Sequence, residues 1–327
     1  MKLDTLQNYL TDPEQAHEWF GALGIARQGA GRRNLVAMAE AGVPLDLLAE
    51  VCRQFAAAAP RLADPDMAWN NLERFISAAR NPLSTTALFE RDPEALPNLL
   101  QLFSTSQYLS DVLVRDEESY DLLRMTEGRP VARDLLMEEL RADLLTLTDA
   151  EDAMAALRQH KQRETLRIGY GDIIRNQEVS TVARQVSFLA DALVESAIAF
   201  ARKRLEEKLG APRSRDGARA LYCALALGKL GGIELNYSSD IDLIFLYDHA
   251  EAVDYSDGDK PLAAPQYFMR LIQRLIAAMS APTAEGVIYE LDFRLRPSGN
   301  AGPLATHFDS FLKYQQNEAW TWEHQAL

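Results

Sequence analysis

The pattern of apolar residues changes once along the 327-residue chain, near Ala218, and this change constrains the fold more than any other feature. From about residue 12 to about residue 210, apolar residues recur at spacings of three and four, which is typical of amphipathic helices. After the change, short apolar runs are separated by glycine-rich and polar turns, which is typical of strands. The sequence therefore predicts an α+β protein in which a long all-α region precedes a domain with a small mixed sheet.

Turn and capping residues divide the helical region into separate helices. Prolines suited to a first turn and serines suited to a capping position mark helix starts at Pro44, Pro93, Ser106 and Ser119. Two longer helices follow, over about 150–170 and about 179–209, and Gly210 and Pro212 end the pattern. We therefore place the all-α region at residues 1–211.

Beyond residue 212 the pattern predicts strand, strand, helix, strand. The four elements are residues 220–227, 240–247, 264–279 and 287–296. The last of them alternates strictly between apolar and polar residues, as a strand with one packed face does. We place this core domain at residues 212–300 and the start of a following helical region, which ends inside a helix, at residues 301–327.

The charge balance and the cysteine count exclude several classes of protein. Lys and Arg number 34 against 48 Asp and Glu, a formal net charge of −14, and such a surface repels nucleic-acid backbones. Cys52 and Cys223 lie far apart, which excludes a cysteine-rich zinc module and favours a reducing compartment. The chain shows neither a signal peptide nor an apolar run of membrane-spanning length, so we expect a cytoplasmic protein without a membrane partner.

Two carboxylates two positions apart, Asp240 and Asp242, begin the second predicted strand. Side chains alternate across a strand, so both carboxylates face the same side. About ten residues upstream, a glycine turn contains Gly228, Lys229, Gly231 and Gly232. Such a turn lets backbone amides approach a triphosphate, and Mg²⁺ held by carboxylates completes a phosphate site. Capping of a turn is the alternative role for the two aspartates.

The glycine turn matches neither of the two common nucleotide-binding fingerprints. A P-loop needs glycine where Cys223 stands and serine or threonine where Leu230 stands, and the glycines of a dinucleotide fingerprint do not occur here. A strand, a glycine turn and a strand with two aspartates remain. This arrangement favours nucleotidyl transfer.

The last predicted strand adds a third carboxylate. Glu290, Asp292, Arg294 and Arg296 share one face, so Asp292 can join the first two aspartates in a site for metal ions, and the arginines can neutralise phosphate charge. Lys229, the amides of the glycine turn, and Ser238 or Ser239 supply further phosphate contacts. Ion pairing with Glu290 or with the acidic loop at 248–259 is the alternative role for the arginines, and solvation in the turn is the alternative for Lys229.

Three motifs in order resemble the family of glutamine synthetase adenylyltransferases and adenylyl-removing enzymes. They are LGKLGG at 227–232 with ELNYSSDIDLIF at 234–245, DFRLRPSG at 292–299, and AWTWEHQAL at 319–327. The resemblance covers roughly residues 70–327 and implies a fold of the DNA polymerase β nucleotidyltransferase superfamily. It also implies AMP transfer at a tyrosine of glutamine synthetase, with Mg²⁺ or Mn²⁺ as cofactor and with ATP, or ADP and phosphate, as nucleotide substrates.

Members of that family are implied to carry two nucleotidyltransferase domains, an N-terminal one that removes AMP by phosphorolysis and a C-terminal one that adds it. The run 234–242 resembles the N-terminal type, whereas Ser298-Gly299 and the tryptophan motif resemble the C-terminal type. Met1 and the helical lead-in favour the N-terminal half, and hence AMP removal. Glutamine synthetase and a PII-type nitrogen-signalling protein are the partners that the resemblance implies.

Three alternatives stay open. In these alternatives the chain is the adenylylating domain, a non-catalytic nucleotide-binding module that docks on glutamine synthetase, or a nucleotidyltransferase for a small molecule. The long helical lead-in disfavours the small-molecule enzyme, and the three aligned carboxylates disfavour the non-catalytic module. We expect Trp320, Trp322 and His324 to pack in a core rather than to take part in catalysis.

Overall fold

The computed structural model describes residues 1–213, 218–248, 255–281 and 286–326. It confirms the predicted α+β class, with mostly helical structure and one small mixed sheet. The helices are α1 Leu3–Thr11, α2 Pro13–Ala22, α3 Gln28–Glu40, α4 Leu45–Ala58, α5 Pro65–Ala78, α6 Pro82–Arg91, α7 Ala95–Thr105, α8 Gln107–Arg115, α9 Glu118–Thr126, α10 Arg133–Leu145, α11 Ala150–Ile173, α12 Val179–Leu209, α13 Gly228–Gly231, α14 Ala264–Ser280, α15 Phe308–Asn317 and α16 Thr321–Ala326.

Most helix starts agree with the sequence. Pro44 directly precedes α4, and the Ser106 hydroxyl caps α8 by accepting a hydrogen bond from the Leu109 amide at 3.3 Å. The bounds predicted for α12 are confirmed. Ser119 as a helix cap is wrong, because α9 already begins at Glu118 and the Ser119 hydroxyl donates to the Asp116 carboxylate at 2.7 Å.

The chain divides into two compact units, and both are discontinuous in sequence. The first contains Met1–Arg129 and Thr165–Glu178, and the second contains Pro130–Glu164 and Val179–Leu327. The predicted border near residue 212 therefore marks the change from helices to strands but lies inside the second unit. The reason is packing: α10 packs against α12, and α12 packs against α14 beyond the border.

The first unit is a helical domain with an aromatic core. The Trp69 ring lies 4.6 Å from the Phe55 ring and 5.5 Å from the Phe20 ring, measured between centroids, and all three side chains are buried. The Trp69 indole N–H donates to the Gly31 carbonyl at 2.9 Å, so the buried polar atom is satisfied. Large aromatic side chains contribute most of the apolar area in such a core.

The sheet of the second unit is arranged around one strand. The strands are β1 Leu221–Ala226, β2 Ile241–Asp248, β3 Leu291–Asp292 and β4 Ala305–His307. One edge of β2 pairs with β1 in antiparallel fashion, and β2 also pairs in parallel with β3 near its start and with β4 near its end. The mixed sheet that the sequence predicts is therefore confirmed.

The third predicted strand is much shorter than expected. Instead of residues 287–296, only Leu291 and Asp292 form a strand, because the amides of Ile288 and Tyr289 both donate to the Met279 carbonyl at the end of α14. A strand that the sequence did not predict, β4, completes the sheet through Ala305–His307. The sheet thus extends beyond residue 300, where the sequence analysis places the end of the core domain.

The two faces of β2 pack against different helices. On one face the Tyr247 ring stacks on Phe268 of α14 at 4.6 Å between centroids, and Phe245 lies 6.3 Å from the same ring. On the other face Ile244 and Leu246 form a smaller core with Phe311 of α15. Because side chains alternate along a strand, Asp242 belongs to this second face, at the end where β3 begins.

The tryptophans at the end of the chain do not pack in a core. Trp320 is 71% exposed and Trp322 is 52% exposed, so the expected core packing of the two is wrong. Glu323 is the buried residue of this segment instead, and its carboxylate accepts hydrogen bonds from the Tyr314 hydroxyl at 3.1 Å and the Trp320 amide at 3.3 Å. His324 is also exposed.

No helix within the described ranges is long and apolar enough to cross a membrane.

Candidate active site

The sheet brings the predicted carboxylates together at the end where the parallel strands β2 and β3 pair. Asp242 and Asp292 are direct register partners on the parallel strands β2 and β3, and Asp240 comes just before β2. Register partners on neighbouring strands project from the same face of a sheet. Two strands that are distant in sequence therefore place three carboxylates in one region of the second unit.

The glycine turn lies against Asp242. It forms the single helical turn α13, and the Leu227 amide ahead of it donates to the Asp242 carbonyl at 3.0 Å. Gly228 has a φ of +54°, and a Cβ atom there would lie 3.1 Å from the Asp242 Oδ2 atom. A Cβ atom on Gly231 would lie 2.6 Å from the Ala226 carbonyl oxygen. Glycine is therefore needed for its conformation at the first position and for space at the second.

The later amides of this turn are already engaged. The Gly231 amide donates to the Leu227 carbonyl at 3.1 Å, and the Gly232 amide donates to the Gly228 carbonyl at 3.0 Å. Both bonds are internal to the turn. A phosphate bound here would meet Gly228 and Lys229, at the start of the turn, before it meets these two amides.

Lys229 extends from the turn toward the serine pair. Its Nζ atom lies 3.5 Å from the Ser239 hydroxyl oxygen, and that hydroxyl in turn donates to the Asn236 side-chain oxygen at 2.7 Å. The Ser238 amide donates to the same Asn236 oxygen at 3.2 Å, and the Ser238 side chain is exposed. The structure thus brings Ser239, rather than Ser238, next to the lysine.

Arg294 binds Asp292 directly. The Arg294 Nε atom donates to the Asp292 Oδ2 atom at 2.6 Å, the terminal nitrogen pairs with the same oxygen, and the Arg294 amide donates to Oδ1 at 2.8 Å. The hydrogen bond from the guanidinium lowers the pKa of the Asp292 carboxyl, and the same bond raises the pKa of Arg294. The arginine side chain is 73% exposed, whereas the aspartate side chain is 13% exposed, so the cationic end faces solvent.

Arg296 is not brought to this cluster. It is 8% exposed, its Nε atom donates to the Gly302 carbonyl at 3.1 Å, and its Nη1 atom donates to the Phe293 carbonyl at 2.8 Å. These bonds brace the turn that follows β3. The alternation predicted for 287–296 fails here, because the backbone leaves the strand after Asp292 and side chains no longer alternate.

The carboxylates repel one another in the absence of a cation. Burial raises the pKa of Asp242, and the negative charges of Asp292 and Asp240 raise it further. Carboxylate oxygens are the ligands that Mg²⁺ prefers, so the donor chemistry and the converging charge fit a divalent cation. In the described part of the chain, no three His, Cys, Asp or Glu side chains are arranged as a metal cluster, and Asp292 is engaged by Arg294.

The sequence did not predict one contact that positions the loop before β2. The Ser187 hydroxyl, in the middle of α12, accepts a hydrogen bond from the Leu235 amide at 3.0 Å, and both residues are buried. This bond fixes the loop between the glycine turn and β2 to the long helix. A serine on the apolar face of a helix is the only signal in the sequence, and it does not identify the partner.

Comparison with known proteins identifies the family. The sequence profile of the family described as glutamate-ammonia ligase adenylyltransferase matches residues 96–327. Three curated proteins named bifunctional glutamine synthetase adenylyltransferase/adenylyl-removing enzyme are similar to the chain. Those of Brucella suis and Brucella melitensis are 40% identical over 264 residues and 42% identical over 243 residues, and that of Xanthomonas axonopodis pv. citri is 34% identical over 319 residues.

These alignments include 80%, 74% and 97% of this chain, but only 26%, 24% and 32% of the respective relatives. The chain therefore spans about a quarter to a third of the length of the curated proteins it matches. The profile match extends over most of the chain and includes the glycine turn and all three aspartates of the site. On that basis, the chain belongs to the glutamate-ammonia ligase adenylyltransferase family.

Proposed function

We propose that this chain transfers an adenylyl group at a tyrosine of glutamine synthetase, and that it removes AMP by phosphorolysis to give ADP. The observation that carries the proposal is the register pairing of Asp242 with Asp292 beside Gly228. The names of the relatives supply the substrate, since each is called a glutamine synthetase adenylyltransferase and adenylyl-removing enzyme.

Asp240, Asp242 and Asp292 would hold Mg²⁺ or Mn²⁺, and the ion would neutralise charge on the phosphate oxygens during the displacement at phosphorus. The raised pKa of Asp242 supports this assignment, because burial and the neighbouring carboxylates make an added positive charge favourable there.

The basic side chains around the carboxylates bind the phosphate groups. Arg294 presents an exposed guanidinium that already forms charged bonds to a carboxylate, and a phosphate offers it the same planar pairing. Lys229, whose Nζ atom lies 3.5 Å from the Ser239 hydroxyl oxygen, binds a further phosphate oxygen, and Ser239 joins it when its hydroxyl turns from Asn236 to donate to the phosphate. Arg296, which donates to two backbone carbonyls, holds the turn after β3 and does not contact the nucleotide.

Removal of AMP is a single displacement. An oxygen of hydrogen phosphate forms a bond to the α-phosphorus of the adenylyl-tyrosine, the bond from that phosphorus to the tyrosine oxygen breaks, and the tyrosine oxygen takes up the proton that the hydrogen phosphate loses. The products are ADP and unmodified tyrosine. In the opposite reaction, the tyrosine hydroxyl passes its proton to the Asp292 carboxylate as its oxygen attacks the α-phosphorus of ATP, the bond from that phosphorus to the bridging oxygen breaks, and pyrophosphate leaves.

The direction rests on a motif rather than on the geometry. The run ELNYSSDID at 234–242 resembles the adenylyl-removing type of domain, and this favours removal. Addition from ATP is the second candidate, since Ser298-Gly299 resembles the adenylylating type. We propose glutamine synthetase and a PII-type signalling protein as partners, and the cytoplasm as the location. The formal charge of −14 disfavours a nucleic-acid partner.

The test follows AMP on glutamine synthetase by intact-protein mass spectrometry. Adenylylated and unmodified glutamine synthetase are each incubated with the chain and Mg²⁺, the first with phosphate and the second with ATP. We expect loss of AMP from the adenylylated protein and release of ADP. Asp240→Asn should abolish this loss, whereas Asp259→Asn, a matched change at an exposed aspartate outside the site, should leave it unchanged.

Each outcome has a definite meaning. Gain of AMP on the unmodified protein would replace removal by addition. Absence of both reactions from a folded chain would contradict catalysis and favour a non-catalytic module. Full activity of Asp240→Asn would contradict the role of this carboxylate in binding a cation.

A further inference from the structure

Strand β3 is too short to fix Asp292 by its own pairing. It contains two residues, Leu291 and Asp292, and its pairing with β2 extends by one further bond, from the Ile241 amide to the Glu290 carbonyl at 3.0 Å. Isolated strand pairs of this length are not stable by themselves. Arg294 holds the Asp292 carboxylate from the following side, so the position of the Asp292 backbone also depends on what holds the residues just before the strand.

Those residues are held by two helices. The amides of Ile288 and Tyr289 donate to the Met279 carbonyl at 3.0 and 3.1 Å, and the Ser280 hydroxyl donates to the Tyr289 carbonyl at 3.0 Å. The one remaining backbone carbonyl, that of Ile288, accepts a hydrogen bond from the Lys161 ammonium of α11. Every backbone polar group of this dipeptide is thus satisfied by a partner outside the sheet.

Lys161 makes a second contact with the same dipeptide. Its Nζ atom lies 4.3 Å from the centroid of the Tyr289 ring, within the range of a cation–π interaction. Ile288 and Tyr289 are 1% and 5% exposed, so both contacts are shielded from water. Burial lowers the pKa of Lys161 to about 8, which shows that the surroundings penalise the charge that these contacts use.

We propose that Lys161 is a positioning residue for Asp292. Its ammonium anchors the Ile288 carbonyl and the Tyr289 ring, and this anchor sets where β3 begins and hence where the third carboxylate lies relative to Asp242. The proposal deepens the proposed function and rests on it for the role of Asp292.

The first test requires no activity. Hydrogen exchange followed by mass spectrometry compares the wild-type chain with Lys161→Met, which keeps the volume of the side chain and removes the donor. We expect exchange to become faster, by about 10-fold or more, in peptides that contain residues 287–294, and to stay unchanged in peptides from β1. Lys203→Met, at an exposed position of α12, is the matched control and should match the wild type.

The second test measures Mn²⁺ binding and kinetics. A displaced Asp292 should weaken the binding of Mn²⁺ in the absence of nucleotide, and should reduce kcat for AMP transfer by roughly 10- to 100-fold with little change in KM for glutamine synthetase. Lys161→Arg keeps a cationic donor and should recover part of both losses. If the wild type shows no AMP transfer, the proposed function fails, while hydrogen exchange and Mn²⁺ binding still decide the role of Lys161.

A second variant protects the test against misfolding. Ser280→Ala removes the neighbouring bond to the Tyr289 carbonyl and should speed exchange in the same peptides. This variant tests whether the dipeptide anchors β3 in case Lys161→Met does not fold. Wild-type exchange and Mn²⁺ binding in Lys161→Met would overturn the proposal. Equal losses in Lys161→Arg and Lys161→Met would also overturn it, because the shape of the side chain rather than its donor would then be responsible.

Discussion

At the scale of single residues, the lowered pKa of Lys161 also predicts how stability depends on pH. Burial lowers the pKa of Lys161 from its ordinary value of 10.5 to about 8. Between these two values the unfolded chain still holds a proton that the folded chain has lost, so the contribution of Lys161 to the free energy of unfolding rises with pH. Below pH 8 both states are protonated and the cost of burying the charge is fully present.

We therefore expect the difference in unfolding free energy between the wild type and Lys161→Met to shift in favour of the wild type from pH 8 to pH 10. Urea denaturation at several pH values measures this difference, because both proteins share all other titrating groups. Lys203→Met, which removes an exposed lysine, should show no such trend. A difference that stays constant across the pH range would contradict the lowered pKa.

Single residues of the site were predictable where their chemistry is local. Asp240 and Asp242 are recognisable from a two-residue spacing beside a glycine turn, and Asp292 from a similar strand pattern. Arg296 shows the limit, because its contact with the Gly302 carbonyl depends on a turn that the alternating pattern does not reveal. Lys161 shows it more strongly, since its partner Ile288 lies 127 positions away in sequence.

At the scale of elements, the glycine turn α13 makes the sharpest prediction. Replacement of Gly228 by alanine puts a Cβ atom 3.1 Å from the Asp242 Oδ2 atom in a residue whose φ is +54°. The left-handed conformation costs about 1–2 kcal/mol for alanine. The 3.1 Å contact in addition requires the Asp242 carboxylate to move by a few tenths of an ångström, so we expect a loss of activity of about 10-fold.

Gly42 provides the matched control for that change. Its φ is +92° and a Cβ atom there would meet nothing within 4 Å. Gly42→Ala should therefore lose a similar amount of unfolding free energy to the left-handed conformation alone, with AMP transfer unchanged. Thermal denaturation and the mass-spectrometric transfer assay measure the two effects. Equal activity of the two alanine variants would contradict the contact between the turn and Asp242.

The elements that sequence predicts best are those with their own periodicity. The bounds of α12 agree because 31 residues of helical pattern end at a glycine. The third strand and β4 were not predictable to the same degree, because two- and three-residue strands exist only through their pairing with β2. The tryptophans at the end of the chain illustrate the same point, since apolar character alone does not state which side of a helix is covered.

At the scale of the whole molecule, the compact units do not follow the order of the sequence. The second unit combines Pro130–Glu164 with Val179–Leu327, so its sheet is completed by helices that the sequence pattern assigns to a separate all-α region. A change in periodicity locates a change of secondary structure accurately. It carries no information about which helices pack against the sheet, because that depends on contacts between distant residues.

This organisation predicts which fragments fold. A fragment of residues 212–327 contains the complete sheet but lacks α12. Three side chains of α12 contact residues of this fragment: the Ser187 hydroxyl accepts a hydrogen bond from the Leu235 amide, Arg202 lies 5.0 Å from the centroid of the Tyr222 ring, and Glu206 pairs with Arg219 at 3.4 Å. Without α12, apolar side chains of α14 that are buried in the chain become exposed to water.

We therefore expect residues 212–327 alone to lack cooperative unfolding, whereas a fragment of residues 130–327 should unfold cooperatively. Thermal denaturation followed by circular dichroism measures cooperativity, and the dispersion of amide signals in a ¹⁵N–¹H spectrum shows whether a packed core is present. The full chain serves as the reference for both measurements. A well-dispersed spectrum from residues 212–327 would contradict the prediction, because the sheet domain would then fold without the long helix that borders it.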